Sequence, residues 1–244
     1  MRDKSKQFKD WLMLGKVVFL ACGVVACNSG VNAPSTTAIP PEPDTPAQAN
    51  PSDNQTLPSR TLSLQDCSNL NQQAMNACAY ENYQAVDAEL SAVYQQIEKA
   101  LPEDGKQVLK AAELAWSKFR DLDCEFERSQ FEGGSIAPFV YNSCLEAQTN
   151  SRIQELSESI AGGASYQAAD SALNAAYQSL LETVDSSREA ALVDAQLAWI
   201  EHRDRHCTFE ASYGAIAIEE DQCKARLSEK RTRQIQNGIE QNNL

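Results

Sequence analysis

The chain has 244 residues, with 34 acidic and 21 basic side chains and a formal net charge of −13 at pH 7. Nucleic acids and anionic lipid surfaces attract basic proteins, so this balance argues against both as partners and favours a cationic one. The same acidity is compatible with a simpler role, in which it only keeps the protein soluble.

The first 26 residues have the features of a secretory signal. Five basic residues precede an apolar run, VVFLACGVVA, that is too short to cross a bilayer as a mature helix. The run leads into Cys27, and the sequence VVAC resembles the lipobox of bacterial lipoproteins. Cys22 fits that motif less well because larger residues precede it. The resemblance implies cleavage before Cys27 and acylation of its thiol and new amino group.

Cleavage there removes five basic and two acidic residues and leaves a mature net charge of −16. Asn28 comes next, and the absence of aspartate at this position resembles lipoproteins that are sent to the outer membrane. We therefore expect an outer-membrane lipid anchor, on the periplasmic side or the cell surface, as the sole membrane contact. Residues 27–62 hold seven of the nine prolines among Ser, Thr, Asn and Ala, which predicts a disordered tether.

The rest of the chain consists of two copies of one sequence repeat. AWSKFRDLDC at 115–124 returns 83 residues later as AWIEHRDRHC, and YQAVDAELSAVY returns at the same offset as YQAADSALNAAY. Nearer the carboxyl end of each unit the offset drops to 79, where Cys144 and Arg152 match Cys223 and Arg231. This pattern predicts a first copy at 63–161 and a second, degenerate copy at 164–241.

Apolar residues within each copy follow the spacing of amphipathic helices, and strand patterns are nearly absent. The steps of three and four include Val86, Leu90, Val93 and Ile97, then Leu109, Ala112, Trp116 and Phe119, then Leu173, Ala176, Leu180 and Val184. Proline and glycine breaks make long coiled coils a poor alternative. The sequence thus predicts an all-α fold of two tandem, disulfide-stapled three-helix units that follow the tether.

Six cysteines remain after Cys27 is acylated, and in an oxidising compartment six allow fifteen pairings. The second copy keeps the equivalents of Cys124 and Cys144, namely Cys207 and Cys223, and lacks both Cys67 and Cys78. Cysteines that are lost together were bonded together. We therefore predict the pairs Cys67 to Cys78, Cys124 to Cys144 and Cys207 to Cys223. The first pair requires the chain to double back, since eleven helical residues span about 16 Å.

Each copy also repeats a tryptophan and an arginine four residues apart on one helix face, with an aspartate at matching positions on the preceding helix. The sets are Trp116, Arg120 and Asp87 in the first copy, and Trp199, Arg203 and Asp170 in the second. This spacing permits stacking of guanidinium on indole and an ion pair between helices. A structural core pair is favoured over a binding or catalytic role for Arg120 and Asp121. The pattern occurs in both copies, and each copy of a duplicated core needs its own stabilising contacts.

Sites for metals, cofactors and catalysis have little support. His202 and His206 are four residues apart beside Cys207, a spacing that zinc ligands use, but that cysteine is assigned to a disulfide and no third ligand is indicated. Nucleophile motifs, glycine-rich phosphate loops and the HExxH motif are absent from the sequence. We expect no metal, no cofactor and no enzymatic activity.

Several stretches resemble a known bacterial envelope family, the lysozyme inhibitor LprI-like N-terminal domain. They are CSNLNQQAMNACAYENYQAVDAELSAVY, AWSKFRDLDCEFE, GGSIAP and CLEAQTNSRIQEL, all within residues 67–156. The second copy matches less closely, since it lacks the leading cysteine pair and replaces GGS with SYGAIAIEED. The resemblance implies a secreted or lipid-anchored helical domain, with a mycobacterial relative associated with inhibition of lysozyme.

An acidic protein would be steered toward a basic muramidase such as lysozyme and would cover its cleft. The candidate contacts are two segments at 131–138 and 213–221, both predicted to be exposed loops. They contain Gly133, Gly134 and Ser135 in the first, and Glu219, Glu220 and Asp221 in the second. The alternative is an envelope adaptor that binds peptidoglycan-associated or outer-membrane proteins without inhibiting any enzyme.

Overall fold

A computed structural model describes residues 63–158, 163–214 and 218–242. The predicted signal peptide and the whole predicted tether, including Cys27, lie outside these residues. Six helices make up the described part, and strands are not found in it. They are α1 (Gln72–Ala100), α2 (Glu103–Ser129), α3 (Ala137–Ser157), α4 (Tyr166–Thr183), α5 (Ser186–Tyr213) and α6 (Glu220–Asn242). The prediction of an all-α fold is confirmed.

Short polar residues begin the first helix of each copy. The side chain of Asn71 accepts a hydrogen bond from the Ala74 amide at the start of α1, and Ser165 does the same for Ala168 at the start of α4. Such caps satisfy amides that have no partner inside the helix. Pro102 separates α1 from α2, because proline is not tolerated in the interior of a helix and fits only at its start. Local sequence thus accounts for these boundaries.

All three predicted disulfides are confirmed. The Cα atoms of Cys67 and Cys78 are 5.8 Å apart, because α1 begins only at Gln72 and the preceding segment folds back along it. The amide nitrogen of Gln65 donates to the side chain of Asn82 at 2.9 Å, which fixes this return. The other two bridges, Cys124 to Cys144 and Cys207 to Cys223, join the second and third helices of each copy. Each bridge closes a loop and, because it reduces the entropy of the unfolded chain, stabilises the fold by about 3 kcal/mol.

The two copies form one body with a shared core. Within each copy the first helix packs mainly on the third, as α1 does on α3 and α4 on α6. The most extensive contact between any two helices joins the middle helices α2 and α5, which belong to different copies. The largest hydrophobic cluster accordingly contains Trp116 and Phe119 from the first copy and Trp199 from the second.

Equivalent residues of the two copies meet each other where α2 and α5 cross. The ammonium of Lys118 lies 2.9 Å from the carboxylate of Glu201, and the rings of Phe119 and His202 stack with centroids 5.7 Å apart. Both pairs are separated by 83 residues, the offset of the repeat. The copies are therefore related by an approximate two-fold axis, as two subunits of a symmetric dimer would be.

Helices α2 and α5 run antiparallel. The start of α2 lies beside the end of α5, where the hydroxyl of Tyr213 donates to Asp104 at 2.8 Å. The end of α2 lies beside the start of α5, where Arg188 donates to the hydroxyl of Ser129 at 2.9 Å.

None of the described helices has the length and hydropathy needed to cross a membrane.

Candidate functional site

The repeated tryptophan, arginine and aspartate come together in both copies. In the first copy the guanidinium of Arg120 lies 4.9 Å from the ring centre of Trp116 and 3.4 Å from the carboxylate of Asp87. A second carboxylate, that of Asp121, is 2.8 Å from the same guanidinium. Because the arginine is largely buried between α1 and α2, this cluster ties two helices that make few other contacts.

The second copy repeats this arrangement. The guanidinium of Arg203 lies 5.3 Å from the ring centre of Trp199, 3.2 Å from Asp170 and 2.9 Å from Asp204. Both arginines have their charge engaged by carboxylates and their flat face covered by indole. This geometry favours the structural role over the binding role that the sequence left open.

The segment between α2 and α3 is exposed along its length. Phe131, Gly133, Gly134 and Ser135 are all solvent-accessible, and Gly133 adopts a left-handed backbone with φ of 75°. That conformation favours glycine, and nothing lies within 4 Å of where a Cβ would be placed. The carbonyl of Ser135 accepts a hydrogen bond from Asn76 at 3.1 Å, which fastens the loop to α1. The loop is thus open to a partner yet tied to the scaffold.

The corresponding segment of the second copy differs from the expectation of a wholly exposed loop. Glu219 is exposed, but Glu220 and Asp221 lie in the first turn of α6, where acidic side chains are stabilised by the helix dipole. Glu220 also pairs with Lys224 at 2.6 Å. Ile218 is buried in the shared core, and residues 215–217 lie outside the described part of the chain.

The two candidate contact segments lie at opposite ends of the molecule. The first follows the end of α2 and the second follows the end of α5, and these helices are antiparallel. Helix α2 has 27 residues, so its ends are about 40 Å apart. The structure therefore does not combine both segments into one binding surface.

The interface between the copies also contains a buried ionic network that the sequence did not predict. The side chain of Arg152 on α3 lies 3.0 Å from Glu113 of its own copy and 3.0 Å from His206 of the other. Arg231, its equivalent on α6, lies 2.7 Å from Asp123 of the first copy and donates to Gln196 of its own. The contacts of Arg152 and those of Arg231 are thus related by the approximate two-fold axis. The only signal in the sequence was the matching of the two arginines at an offset of 79.

His202 and His206 are buried in this network. Burial lowers the pKa of His202 to about 4, although Glu155 lies 3.5 Å away and favours the charged form. Burial likewise lowers the pKa of His206. The cationic groups of Lys230 and Arg152, with His202, hold the pKa of Glu155 well below its usual range despite the burial of its carboxyl group. Both imidazoles are therefore neutral at pH 7.

These histidines do not form a zinc site. Within the described residues, His206, Glu210 and Cys223 have ligand atoms within 4.8 Å of one another. The sulfur of Cys223 is bonded to Cys207, however, and the carboxylate of Glu210 pairs with Arg226. A disulfide sulfur cannot supply the thiolate that zinc binds, so the residues do not fit the metal.

The described residues thus form a duplicated, disulfide-crosslinked helical protein, with six helices, three internal crosslinks and an approximate two-fold repeat. The chain belongs to the family of the lysozyme inhibitor LprI, which it matches over residues 65–156 and 158–235. The predicted resemblance is thus confirmed, and the two matched stretches agree with a tandem copy.

Two further proteins are similar to this chain. An uncharacterised protein of Rhizobium meliloti (strain 1021), R02472, is 38% identical over 52 residues, which cover 21% of this chain and 37% of that relative. The crystal structure of an uncharacterised protein from Burkholderia thailandensis superposes with a TM-score of 0.52 at 16% identity, over 70% of this chain and 88% of the other. The second similarity supports the fold alone.

Proposed function

We propose that this protein is a lipid-anchored envelope protein that inhibits a basic muramidase of the lysozyme type by binding it through acidic surface. Membership of the LprI family carries the proposal. The charge supports it, because the mature chain would have a net charge of −16 and animal lysozymes are strongly basic. The mechanism is occlusion of the cleft in which lysozyme cleaves its substrate, without any reaction on the inhibitor's own residues.

Addition of the purified protein is expected to slow the lysis of bacterial cell walls by hen-type or goose-type lysozyme. Since charge attraction drives the encounter, inhibition should weaken at least about tenfold as ionic strength rises from about 0.01 M to about 0.15 M. Turbidity assays over a range of salt concentrations measure this. Chain that has been reduced and capped with a neutral thiol reagent is the control, since it has the same charge without the crosslinked fold. The absence of inhibition at about 10 µM and low salt contradicts the proposal.

The anchor is part of the proposed function because it would place the folded domain at the outer membrane, where lysozyme arrives. The Cys27→Ala variant is expected to lose lipid modification and to move from the membrane fraction to the soluble fraction. Cys22→Ala is the matched control, since it removes the neighbouring cysteine that fits the lipobox less well. Fractionation and mass measurement of the amino terminus test both variants. Membrane attachment of Cys27→Ala would rule out this anchor.

A further inference from the structure

The antiparallel pair of α2 and α5 has two ends that the duplication makes equivalent. We name them the Phe131 end, where Ser129 of α2 meets Arg188 of α5, and the Tyr213 end, where Asp104 of α2 meets Tyr213 of α5. The repeat offset of 83 matches Gln130 with Tyr213 and Arg188 with Gly105. Each end is therefore an internal reference for the other.

The Phe131 end carries an open groove of about 230 Å³. It lies between the loop that follows α2 and the start of α5. Its lining includes Ser129, Gln130, Glu132, Asp185, Ser187 and Arg188. Phe131 does not line the groove itself but lies between Gln130 and Glu132 in the chain and is 39% exposed.

Two of the three charged side chains that line this groove are acidic. The guanidinium of Arg188 turns inward, where it donates to the hydroxyl of Ser129 and to the carbonyl of Phe126 at 3.0 Å and lies 4.6 Å from the ring centre of Phe126. Glu132 and Asp185 are both exposed and line the groove from opposite sides. Two exposed carboxylates, one of them next in the chain to the exposed Phe131, form a surface suited to an arginine or lysine side chain.

At the Tyr213 end the side chain of Tyr213, the equivalent of Gln130, packs against Gly105 of α2. Its ring lies so close to Gly105 that a Cβ on this residue would be 3.0 Å from it. Its hydroxyl donates to Asp104, the residue equivalent to Ser187. Ile218, just beyond, is buried in the shared core. This end therefore holds the two copies together.

We infer that the groove at the Phe131 end is the surface that contacts the partner, and that it receives a cationic side chain of a basic muramidase between Glu132 and Asp185. Phe131 supplies apolar contact next to this charge, as aromatic residues do at the centre of protein interfaces. The inference rests on the proposed function and deepens it, since it assigns binding to one of the two equivalent ends of the α2 and α5 pair.

The test compares two double variants of the full chain that change the net charge equally. Glu132→Lys with Asp185→Lys reverses the groove, and Glu103→Lys with Glu219→Lys reverses exposed carboxylates toward the Tyr213 end. Asp185 and Glu103 lie at the starts of the equivalent helices α5 and α2, so both double variants place a lysine near the positive end of a helix dipole. We expect the dissociation constant for hen-type lysozyme to rise at least about tenfold for the groove variant and less than about twofold for the control.

Phe131→Ala gives an independent measurement without a change of charge, and it is expected to weaken binding at least about fivefold. Circular dichroism and thermal unfolding verify that each variant folds. Equal weakening by both double variants would show that overall charge alone governs binding and would overturn the groove assignment. If wild-type protein neither binds nor inhibits lysozyme, the proposed function fails, and the assignment of this partner to the groove fails with it.

Discussion

Replacement of Arg152 by methionine is expected to lower the free energy of unfolding by about 3 to 5 kcal/mol, the range observed when one partner of a buried ion pair is removed. The side chain of Arg152 is fully buried between the copies. Its guanidinium lies 3.0 Å from Glu113, 3.3 Å from Glu155 and 3.0 Å from the Nδ1 atom of His206. Methionine fills much of the volume but leaves buried carboxylates without this cation.

Lys118→Met is the matched control for that experiment. The ion pair of Lys118 with Glu201 also joins the two copies, at 2.9 Å, but both side chains are about half exposed. An exposed pair contributes less than about 1 kcal/mol. Urea unfolding followed by circular dichroism, with the disulfides intact, measures both variants. If they destabilise the protein equally, the buried network does not govern the association of the two copies.

Acidification is expected to destabilise the protein between pH 6.5 and pH 4. The pKa of His202 is about 4 in the folded protein and 6.5 when unconstrained, so the unfolded chain binds more protons throughout this interval. Stability that is present above pH 6.5 is then lost as the pH falls, by about 2 kcal/mol at pH 5 and about 3 kcal/mol at pH 4 for this residue alone. The lowered pKa of His206 adds in the same direction. Urea midpoints measured from pH 7.5 downward give the slope.

The His202→Phe variant separates this histidine from other acid-sensitive groups. Phenylalanine is the residue at the equivalent position 119 of the first copy, and the ring of Phe119 already stacks on His202. We expect the variant to lose the part of the slope between pH 6.5 and pH 4.5 that His202 contributes, while the part from His206 stays. Glu155 has a lowered pKa, so its contribution is lost only below pH 4.5, and the variant keeps the part of it that comes from Lys230 and Arg152. An unchanged slope above pH 4.5 would show that His202 is not the responsible group.

Part of the candidate site was readable in the sequence and part was not. The exposed loop with Gly133 follows directly from a glycine pair between two helical patterns, and the three disulfides follow from which cysteines the second copy retains. The groove was not predictable, because it is formed with Asp185, which is 53 positions beyond Glu132 in the chain. The same holds for the contact of Arg231 with Asp123, which joins helices from different copies.

The sequence by itself determined the helices, their boundaries, the duplication and the crosslinks, since these depend on local periodicity, capping residues and repeat spacing. Only the tertiary structure decided that α2 packs mainly on α5 and little on α1, and that a groove forms between the loop after α2 and the start of α5. The physical reason is that an amphipathic pattern identifies which face of a helix is buried. The hydrophobic effect is non-directional, so the pattern does not specify which other face covers it.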